Sequence, residues 1–404
     1  MHIAVTANGP GEVAGWLRPL LRALYARRPD LGVLVFLVPD DYATGFEAEM
    51  VREAFPQANV YEPKRYVRFA LGGKLDDAPP RVDLVQYIGG DLLHAAIVHR
   101  RLKGRTATYK FSRRTYRKLF ERAFAVDERN AEQLAEWGTP RERIVSVGNL
   151  AIDGALFEAS LPPEAQAPRD GILIMPGSRP YEVESLVPFY FSVALQLQRE
   201  RPEIPVALAL SPFTARESVR AAIEGGGHPR MFGKRGRLLS EGGCDYLTTD
   251  DGDRRIPVLR NALAAATQAR LVLTIPGTKT IEMAILGKPT VTITPLNAPE
   301  VVTINGPLTY LDRVPLVGLP LKRAAVTAVS HRFKYHTQPN IDAGRAVVRE
   351  IHGTAMPARI ARIALESYDD AAWLAETSPQ LAALYRDHVG ASARMADSLL
   401  ELAA

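Results

Sequence analysis

Residues 274–291, T-I-P-G-T-K-T-I-E-M-A-I-L-G-K-P-T-V, decide the fold class. An apolar run ends at Thr274, Gly277 opens a turn, and a segment of helical length follows until Gly287 stops it before the next apolar run. Strand, helix and strand in this order are typical of a parallel sheet with crossover helices. The same alternation recurs in strand-like runs at 3–6, 33–38, 84–88, 124–126, 172–175, 206–210, 271–274 and 290–294.

These patterns predict an α/β protein with two doubly wound, Rossmann-like domains that face a cleft. A chain of 404 residues has room for two such domains. We expect an N-terminal acceptor-side domain at 1–160, a proline-rich linker at 161–169, a nucleotide-sugar-binding domain at 170–356 and C-terminal helices at 357–404. Two roles are open for those helices: packing back on the first domain and forming a homodimer.

Composition excludes several classes of protein. With 50 Lys plus Arg, 45 Asp plus Glu and 47% hydrophobic residues, the chain resembles neither a disordered nor a polytopic membrane protein. A single cysteine, Cys244, allows no intramolecular disulfide and favours a reducing compartment. The first residues read as a strand and not as a signal peptide, so we expect a cytoplasmic protein.

The most specific motif is the glycine turn after the strand at 271–274. Gly277, Thr278 and Lys279 begin a helix, and Glu282 follows one turn later. Helix amides, a hydroxyl and a lysine suit a diphosphate, and a carboxylate can accept two hydrogen bonds from a ribose diol. The alternative is a purely structural junction between a strand and a helix.

A second glycine turn follows the strand at 172–175. Gly177 permits close approach of a ligand, Ser178 can cap the next helix, and Arg179 offers a fixed fork of donors. We expect a diphosphate site here as well. A capped helix start with an incidental arginine is the alternative.

The loop after the first strand contains Gly9, Gly11 and Glu12. Its glycines do not have the G-x-G-x-x-G spacing of a dinucleotide fingerprint. We interpret it as an acceptor loop, with a tight strand-to-helix turn as the alternative. Glu12 is a second choice, after Asp91, for the general base.

Asp91 follows the strand at 84–88 and has two open interpretations, a general base with a pKa raised by burial and a helix N-cap. His94 and His99 are expected to be structural or solvent-facing. The eight histidines have no metal-binding spacing, so we expect no metal site.

A basic segment between residues 100 and 122 contains interleaved aromatic residues, Tyr109, Phe111, Tyr116 and Phe120, which we expect at an interface. It suits an anionic membrane surface, which predicts peripheral association with the inner face of the membrane. Nucleic acid is the less favoured partner, and a solvated basic face is the third interpretation. The residues predicted to form this surface are Arg100, Arg101, Lys103, Arg105, Arg113, Arg114, Arg117 and Lys118.

At these motifs the chain resembles the lipid-A-disaccharide synthases, which are inverting glycosyltransferases with the two-domain GT-B architecture. Residues 11–15 are similar to the family's G-E-x-S-G loop, residues 176–182 to its P-G-S-R-x-x-E, and residues 277–289 to its S-G-T-x-x-L-E-x-x-L-x-x-x-P. The resemblance implies that Arg179 and the amides around Ser178 hold the diphosphate of a UDP-sugar, and that Glu282 holds the ribose. It also implies that Asp91 is the catalytic carboxylate.

The implied activity is metal-independent transfer of an N-acetylglucosamine-type sugar from a UDP-sugar to a lipid-linked or amphipathic acceptor. The chain departs from the family at Trp16, where the family has Asp, and at Pro276, where it has Ser. Asn149, which we place with the acceptor loop, replaces a His, and residues 147–153 are similar to a segment of UDP-N-acetylglucosamine 2-epimerases. A hydrolysing epimerase and a non-catalytic nucleotide-sugar or nucleic-acid binding protein are therefore alternatives for a diverged relative.

Overall fold

Strands and helices alternate along most of the chain. The computed structural model describes residues 1–40, 43, 45–177, 179–212, 214–297 and 333–404. The predicted diphosphate-binding residue Ser178 lies outside the described residues. The strands are β1 His2–Ala7, β2 Gly32–Leu37, β3 Asn59–Tyr61, β4 Leu84–Tyr87, β5 Arg105–Tyr109, β6 Arg122–Ala125, β7 Ile144–Ser146, β8 Ile172–Met175, β9 Val206–Ala209, β10 Arg237–Glu241, β11 Cys244–Thr248, β12 Arg255–Leu259, β13 Leu271–Thr274, β14 Thr290–Pro295 and β15 Arg349–Gly353.

The helices lie mainly between these strands. They are α1 Pro10–Glu12, α2 Arg18–Arg27, α3 Glu47–Ala54, α4 Pro63–Ala70, α5 Leu92–Leu102, α6 Glu128–Glu136, α7 Leu150–Ser160, α8 Pro180–Glu200, α9 Arg216–Gly225, α10 Ala262–Gln268, α11 Thr278–Ile285, α12 Gln338–Ala343, α13 Pro357–Asp369, α14 Ala371–Leu384 and α15 Ala391–Ala403. A π-helical turn, Val13–Leu17, joins α1 to α2.

The chain folds into two units, each built around one sheet. The first comprises Met1–Ala155 and Asp387–Ala404, and the second comprises Leu156–Arg386. The division falls inside α7, ahead of the proline-rich segment 161–169. Within that segment Glu164 Oε1 accepts hydrogen bonds from the amides of Arg260 and Asn261 in the second unit, at 2.6 and 2.7 Å.

The first sheet has the strand order β3-β2-β1-β4-β5-β6-β7, with all neighbours parallel. Helices cover both faces, so β1 is buried on both sides. Ile3 and Val5 pack with α2, whereas Ala4 packs in a separate cluster with Phe36 and Val98. This is the doubly wound arrangement that the apolar runs predict.

The second sheet has the order β10-β11-β12-β9-β8-β13-β14-β15. Neighbouring strands in the part β12-β9-β8-β13-β14-β15 are parallel. The pairs β10-β11 and β11-β12 are antiparallel. Gly242 and Gly243 form the two-residue connection between β10 and β11 with φ values of +58° and +79°. Such a turn requires two residues in the left-handed region, which glycine adopts without strain. The sequence patterns did not predict this antiparallel extension.

The C-terminal helices divide between the two units. In α13, Ile360 and Ala364 are buried in the second unit's core beside α8. In α15, Met395 and Leu399 are fully buried in the first unit's core. Asp153 also accepts hydrogen bonds from the amides of Gly390 and Ser392, both at 2.7 Å. The expected return of the tail to the first domain is therefore confirmed for α15.

Two of the aromatic residues in the basic segment were placed wrongly by the sequence. Tyr109 ends β5, an internal strand, and is 0% exposed, and Phe120 is 2% exposed. Both belong to the hydrophobic core and not to an interface, because the segment includes strand β5 and leads into strand β6, two neighbouring strands inside the sheet. Phe111, by contrast, is 39% exposed.

Candidate functional site

Each sheet has one point at which the strand order reverses, and ligands of doubly wound sheets bind beside the carboxyl ends of the strands there. In the second unit this point lies between β8 and β13, and in the first unit between β1 and β4. We call the residues after β8 and β13 the glycine-turn site: Gly177, Arg179, Glu182, Gly277, Thr278, Lys279 and Glu282. We call the residues after β1, β2, β4 and β5 the Glu12 site: Asn8, Gly9, Glu12, Asp40, Gly89 and Lys110.

The two glycine turns begin side by side. Met175 and Thr274, the last residues of β8 and β13, are paired in register. The hydroxyl of Thr274 donates a hydrogen bond to the carbonyl of Met175 at 2.9 Å. Because the strands end together, the N-termini of α8 and α11 lie at the same edge of the sheet. Their amides add a positive partial charge there.

The first turn depends on a glycine. Gly177 has a φ of +115°, and a Cβ atom there would lie 2.4 Å from Oε2 of Glu182. That same oxygen accepts a hydrogen bond from the amide of Arg179 at 3.0 Å. Glu182 therefore occupies the space that Gly177 leaves open and holds the start of α8 in place. The motif P-G-S-R-x-x-E contains both the glycine and the glutamate of this contact, although Glu182 was not among the predicted binding residues.

The guanidinium of Arg179 is held at the turn by its neighbours. Its Nη1 atom donates to the hydroxyl of Tyr181 at 2.9 Å and lies 3.8 Å from Oε1 of Glu182. The Arg179 side chain is 48% exposed, whereas that of Glu182 is 11% exposed. A buried carboxylate thus orients an accessible guanidinium, an arrangement suited to a phosphate ligand.

In the second turn Lys279 and Glu282 form an ion pair. The Lys279 Nζ atom lies 2.7 Å from Oε2 of Glu282, whose side chain is 17% exposed. Gly277 precedes the helix with a φ of +156°, and its carbonyl accepts the hydroxyl of Thr280 at 2.7 Å. Thr278 begins the helix and is exposed. The two residues that the sequence assigned to phosphate and ribose are therefore in direct contact.

In the first unit, Glu12 lies against two glycines that leave no space for a side chain. A Cβ atom on Gly89 would lie 2.8 Å from Cγ of Glu12 and 2.5 Å from Oδ1 of Asn8. A Cβ atom on Gly9 would lie 2.3 Å from Oδ2 of Asp40 and 3.4 Å from Oε2 of Glu12. Two carboxylates and an amide therefore converge where β1, β2 and β4 end.

Burial raises the pKa of Glu12, and the nearby charge of Asp40 raises it further. A hydrogen bond from the backbone and the charge of Lys110 act in the opposite direction. Burial lowers the pKa of Lys110, whose Nζ lies 5.2 Å from the centre of the Trp16 ring. Within the described residues, the buried Oδ1 of Asn8 accepts no hydrogen bond. A carboxyl group with a raised pKa beside an unpaired buried acceptor is suited to proton transfer.

Sequence reasoning missed Asp40 and Lys110. Each follows a strand, β2 and β5 respectively, and comes beside Glu12 only through the strand order of the sheet. The structure also has a π-helical turn directly after Glu12, and such turns are frequent at functional sites.

Comparisons with known proteins address the fold. No family model matches the chain. One relative, a lipid-A-disaccharide synthase of Paraburkholderia phytofirmans, is 27% identical over 201 residues, which are 49% of this chain and 39% of the relative. The chain thus spans well under half the length of that relative.

Similarity to solved structures extends over almost the whole chain. A putative UDP-N-acetylglucosamine 2-epimerase from Listeria monocytogenes is 14% identical with a TM-score of 0.57, covering 99% of this chain and 96% of its own. The Neisseria meningitidis UDP-GlcNAc 2-epimerase bound to UDP-GlcNAc is 15% identical, with a TM-score of 0.56 and coverages of 99% and 100%. The glycotransferase of kitacinnamycin is 16% identical, with a TM-score of 0.52 and coverages of 99% and 98%. The chain has the GT-B fold.

Within this GT-B fold, Asp91 is an N-cap. Its Oδ1 accepts the amide of Leu93 at 2.9 Å, and its Oδ2 lies 3.4 Å from Nη1 of Arg113. The capping interpretation is confirmed, and the role as a general base stays a prediction. His94 is structural, as one of its two interpretations predicts. Its Nδ1 lies 2.7 Å from the hydroxyl of Tyr66, and burial lowers the pKa of the ring.

The remaining predicted acceptor residues have separate positions. Asn149 Oδ1 accepts the amide of Ala151 at 3.1 Å, so Asn149 caps α7. Gly11 is exposed, and no atom lies within 4 Å of the Cβ position that it lacks. Gly11 directly precedes Glu12 in the chain, and a Cβ atom on Gly9 would lie against the Glu12 side chain, whereas Asn149 is occupied as a cap.

The basic segment does not form one surface. Arg105 begins β5 at the amino end of the first sheet, whereas Arg113 contacts Asp91 at the carboxyl end. The chain then returns to the start of β5, where the hydroxyl of Thr106 donates a hydrogen bond to the carbonyl of Leu119. Among the residues that the structure describes, no helix is long and apolar enough to cross a membrane. In the same part of the chain no group of three His, Cys, Asp or Glu side chains could hold a metal ion.

Proposed function

We propose that the protein transfers an N-acetylglucosamine-type sugar from a UDP-sugar to a hydroxyl of a lipid-linked or amphipathic acceptor, with inversion and without a metal ion. The observation that carries this proposal is the pair of glycine turns tied together by Thr274 and Met175. The partial relative named a lipid-A-disaccharide synthase supports the same reaction class.

The glycine-turn site would bind the nucleotide diphosphate. The helix amides and the Arg179 guanidinium would contact the phosphate oxygens, and their positive charge would stabilise the departing diphosphate as negative charge builds on it. Glu282 would accept both ribose hydroxyls, and Lys279 would turn from Glu282 toward the phosphates. Solved proteins of the same fold include one bound to UDP-GlcNAc.

Glu12 would be the general base for the acceptor hydroxyl. A base works best when its pKa lies near the working pH, and burial and Asp40 both raise the pKa of Glu12. Asp91 is the alternative base, but its Oδ1 already accepts the amide of Leu93. Lys110 would limit the rise in the Glu12 pKa and keep the carboxylate available at neutral pH.

An amphipathic acceptor fits a second feature of the first unit. Val67 and Leu71, at the end of α4, are 40% and 84% exposed and lie one helical turn apart. Lys64, Arg65 and Arg68 on the same helix are exposed around them. Apolar side chains flanked by basic ones suit the interface of an anionic membrane, so we propose peripheral association through α4.

A hydrolysing UDP-N-acetylglucosamine 2-epimerase is the second candidate. Two structures that share the fold are epimerases by name, and residues 147–153 resemble a segment of that family. An epimerase would need no lipid acceptor.

An assay with UDP-N-acetylglucosamine separates the two candidates. We expect UDP release only when an amphipathic acceptor is added, together with a glycosylated product detected by mass spectrometry. Turnover without acceptor that yields N-acetylmannosamine and UDP would support the epimerase and contradict the transferase. Glu224→Ala, an exposed change on α9, is a suitable control for Glu12→Gln in this assay.

A further inference from the structure

An open cavity of about 1020 Å³ lies at the amino end of the first sheet. It is lined where β1, β4 and β5 begin, at the opposite end of these strands from the Glu12 site. Its charged and titratable basic side chains are His2, Arg81, His99, Arg101, Lys103 and Arg105. We call this the amino-end cavity.

The positive charge of the amino-end cavity is largely uncompensated. Its only acidic side chain among the described lining residues is Asp83, whose Oδ2 accepts the amide of His2 at 2.7 Å. The side chains of Arg81, Lys103 and Arg105 make no hydrogen bond or ion pair with any residue that the structure describes. Four permanent cations thus face one carboxylate, which favours an anionic ligand.

Arg101 differs from these three because it is held in place. Its Nη2 atom donates to the carbonyl of Gly73 at 2.7 Å, and its guanidinium lies 4.8 Å from the centre of the Phe69 ring. A guanidinium fixed in this way loses little rotamer freedom when it binds an anion.

A simpler explanation covers only part of this cluster. His99 and Arg101 lie in the last turn of α5, where basic side chains stabilise the negative end of a helix. Arg81 precedes β4 and Arg105 begins β5, so the helix end accounts for neither. Two stretches of chain supply permanent cations to the same cavity, Arg81 before β4 and residues 101–105 between the end of α5 and the start of β5.

The end of α5 and the ring of His99 complete this part of the cavity lining. Lys103 is the C-cap residue of α5, with a φ of +60°, and its amide donates to the carbonyl of His99 at 2.7 Å. The Nδ1 atom of His99 is buried and has no hydrogen-bond partner within the described chain. Because this nitrogen is closed to solvent, a ligand in the cavity would meet only the other atoms of the His99 ring.

We propose that the amino-end cavity binds a small ligand that carries two or more phosphate groups. Arg81, Arg101, Lys103 and Arg105 contact the phosphate oxygens, and the His99 ring lies beside them in the cavity lining. Guanidinium groups pair with phosphate in a bidentate manner, and the cavity volume is large enough for a nucleotide-sized molecule. This site is separate from the glycine-turn site and does not depend on the proposed transfer reaction.

The test uses inorganic diphosphate and the full chain in a Lys279→Met background, which weakens the glycine-turn site. Isothermal titration calorimetry is expected to detect binding that becomes at least about tenfold weaker when Arg81→Ser and Arg105→Ser are added. Arg199→Ser and Arg220→Ser, two exposed changes outside the cavity, are the matched control and should leave the affinity unchanged. Absence of binding in the background, or equal binding in both double variants, would overturn the proposal.

A second readout separates a specific site from general attraction of an anion. The ring signals of His99, assigned with a His99→Gln variant, are expected to shift with added diphosphate in the background protein and not in the Arg81→Ser, Arg105→Ser variant. Thermal unfolding checks that both double variants fold, which we expect because the side chains of Arg81 and Arg105 make no hydrogen bond or ion pair with a described residue.

Vesicles distinguish a soluble ligand from a lipid headgroup. Flotation with phosphatidylcholine vesicles that contain phosphatidic acid is compared for the same variants. Loss of both diphosphate and vesicle binding would support the phosphate chemistry and include lipids among the ligands. Loss of vesicle binding with unchanged diphosphate affinity would contradict a site for a small soluble ligand.

Discussion

The Nζ atom of Lys279 lies 2.7 Å from Oε2 of Glu282, within one turn of the same helix. Both residues belong to the turn that follows β13, and both are part of the proposed nucleotide site. The ion pair keeps Lys279 near the helix N-terminus and partly neutralises a carboxylate that would otherwise repel a diphosphate. The two members are proposed to contact different parts of the nucleotide, Lys279 the phosphates and Glu282 the ribose.

Replacement of Lys279 tests the phosphate role. Lys279→Met removes a cation from the site and leaves Glu282 unpaired, so we expect the affinity for UDP to fall by about tenfold or more. Uridine lacks phosphates, and its weaker binding should fall much less. Lys74→Met, an exposed change in the first unit, serves as the control. Equal losses for UDP and uridine in titration calorimetry would contradict a phosphate contact.

The turn at Gly177 makes a prediction about stability. A Cβ atom there would meet Oε2 of Glu182 at 2.4 Å in a backbone conformation with φ of +115°. We expect Gly177→Ala to lower the free energy of unfolding by about 2 kcal/mol or more. Gly11→Ala, with no atom within 4 Å of the added Cβ, should change it by less than about 1 kcal/mol. Urea denaturation that gives equal values for the two variants would contradict the close contact with Glu182.

The pH dependence of activity tests Glu12 as the base. A base must be unprotonated, so kcat/KM should rise with pH through the raised pKa of Glu12. Asp40→Asn removes a charge that raises this pKa and should shift the acid limb to lower pH. Lys110→Met removes a charge that lowers it and should shift the limb to higher pH. Identical limbs in all three proteins would exclude Glu12 as the titrating group.

The same carboxyl group should destabilise the folded protein when it ionises. Because its pKa is raised by folding, its favourable contribution is present below the pKa of the unfolded chain and is lost as pH rises through the folded value. Glu12→Gln is thus expected to raise the thermal midpoint at neutral pH while it lowers activity. If the thermal midpoint of Glu12→Gln lay below that of the wild type at neutral pH and equalled it at pH 4, the ionised carboxylate would stabilise the fold, which would contradict this prediction.

Some features of the fold could be predicted from the sequence and others could not. The doubly wound α/β fold could be predicted, because buried parallel strands appear as continuous apolar runs. Strand β5 could not be predicted, because its residues, R-T-A-T-Y, contain no apolar run and lie between charged segments. Strands β3 and β7, with three residues each, were too short to show a pattern of apolar residues in the sequence.

The sites show the same division. The glycine turns could be located because each combines a strand end, a glycine and a helix start within a few residues. The contact between Glu12 and Asp40 could not, since it depends on β2 lying beside β1 in the sheet. The cap formed by Asp91 was one of two equal interpretations, because the same residue type suits a cap and a base.

A buried carboxylate in the second unit predicts how stability changes in acid. Glu350, on β15, accepts the amides of His336 and Thr337, both at 2.9 Å, and the side-chain amide of Asn340 at 2.7 Å. Burial acts to raise the pKa of Glu350, but hydrogen bonds, including one from His352, outweigh it and lower the pKa to about 2.

A lowered pKa means that this stability is present above the unfolded pKa, near 4.5, and is lost as pH falls toward about 2. We expect Glu350→Gln to destabilise the protein by about 2 to 3 kcal/mol at pH 7 and by less at pH 3. Chemical denaturation at the two pH values measures the difference. A loss of equal size at both would contradict an ionised Glu350 as the source.

The proposed function requires that the paired glycine turns bind a uridine nucleotide. Titration calorimetry of UDP into the full chain, compared with Glu282→Ala and with Glu224→Ala as the control, tests it most directly. We expect one saturable site in the wild type, an affinity at least about tenfold lower for Glu282→Ala, and no change for Glu224→Ala. Absence of UDP binding in the wild type, or equal affinities in all three proteins, would contradict it.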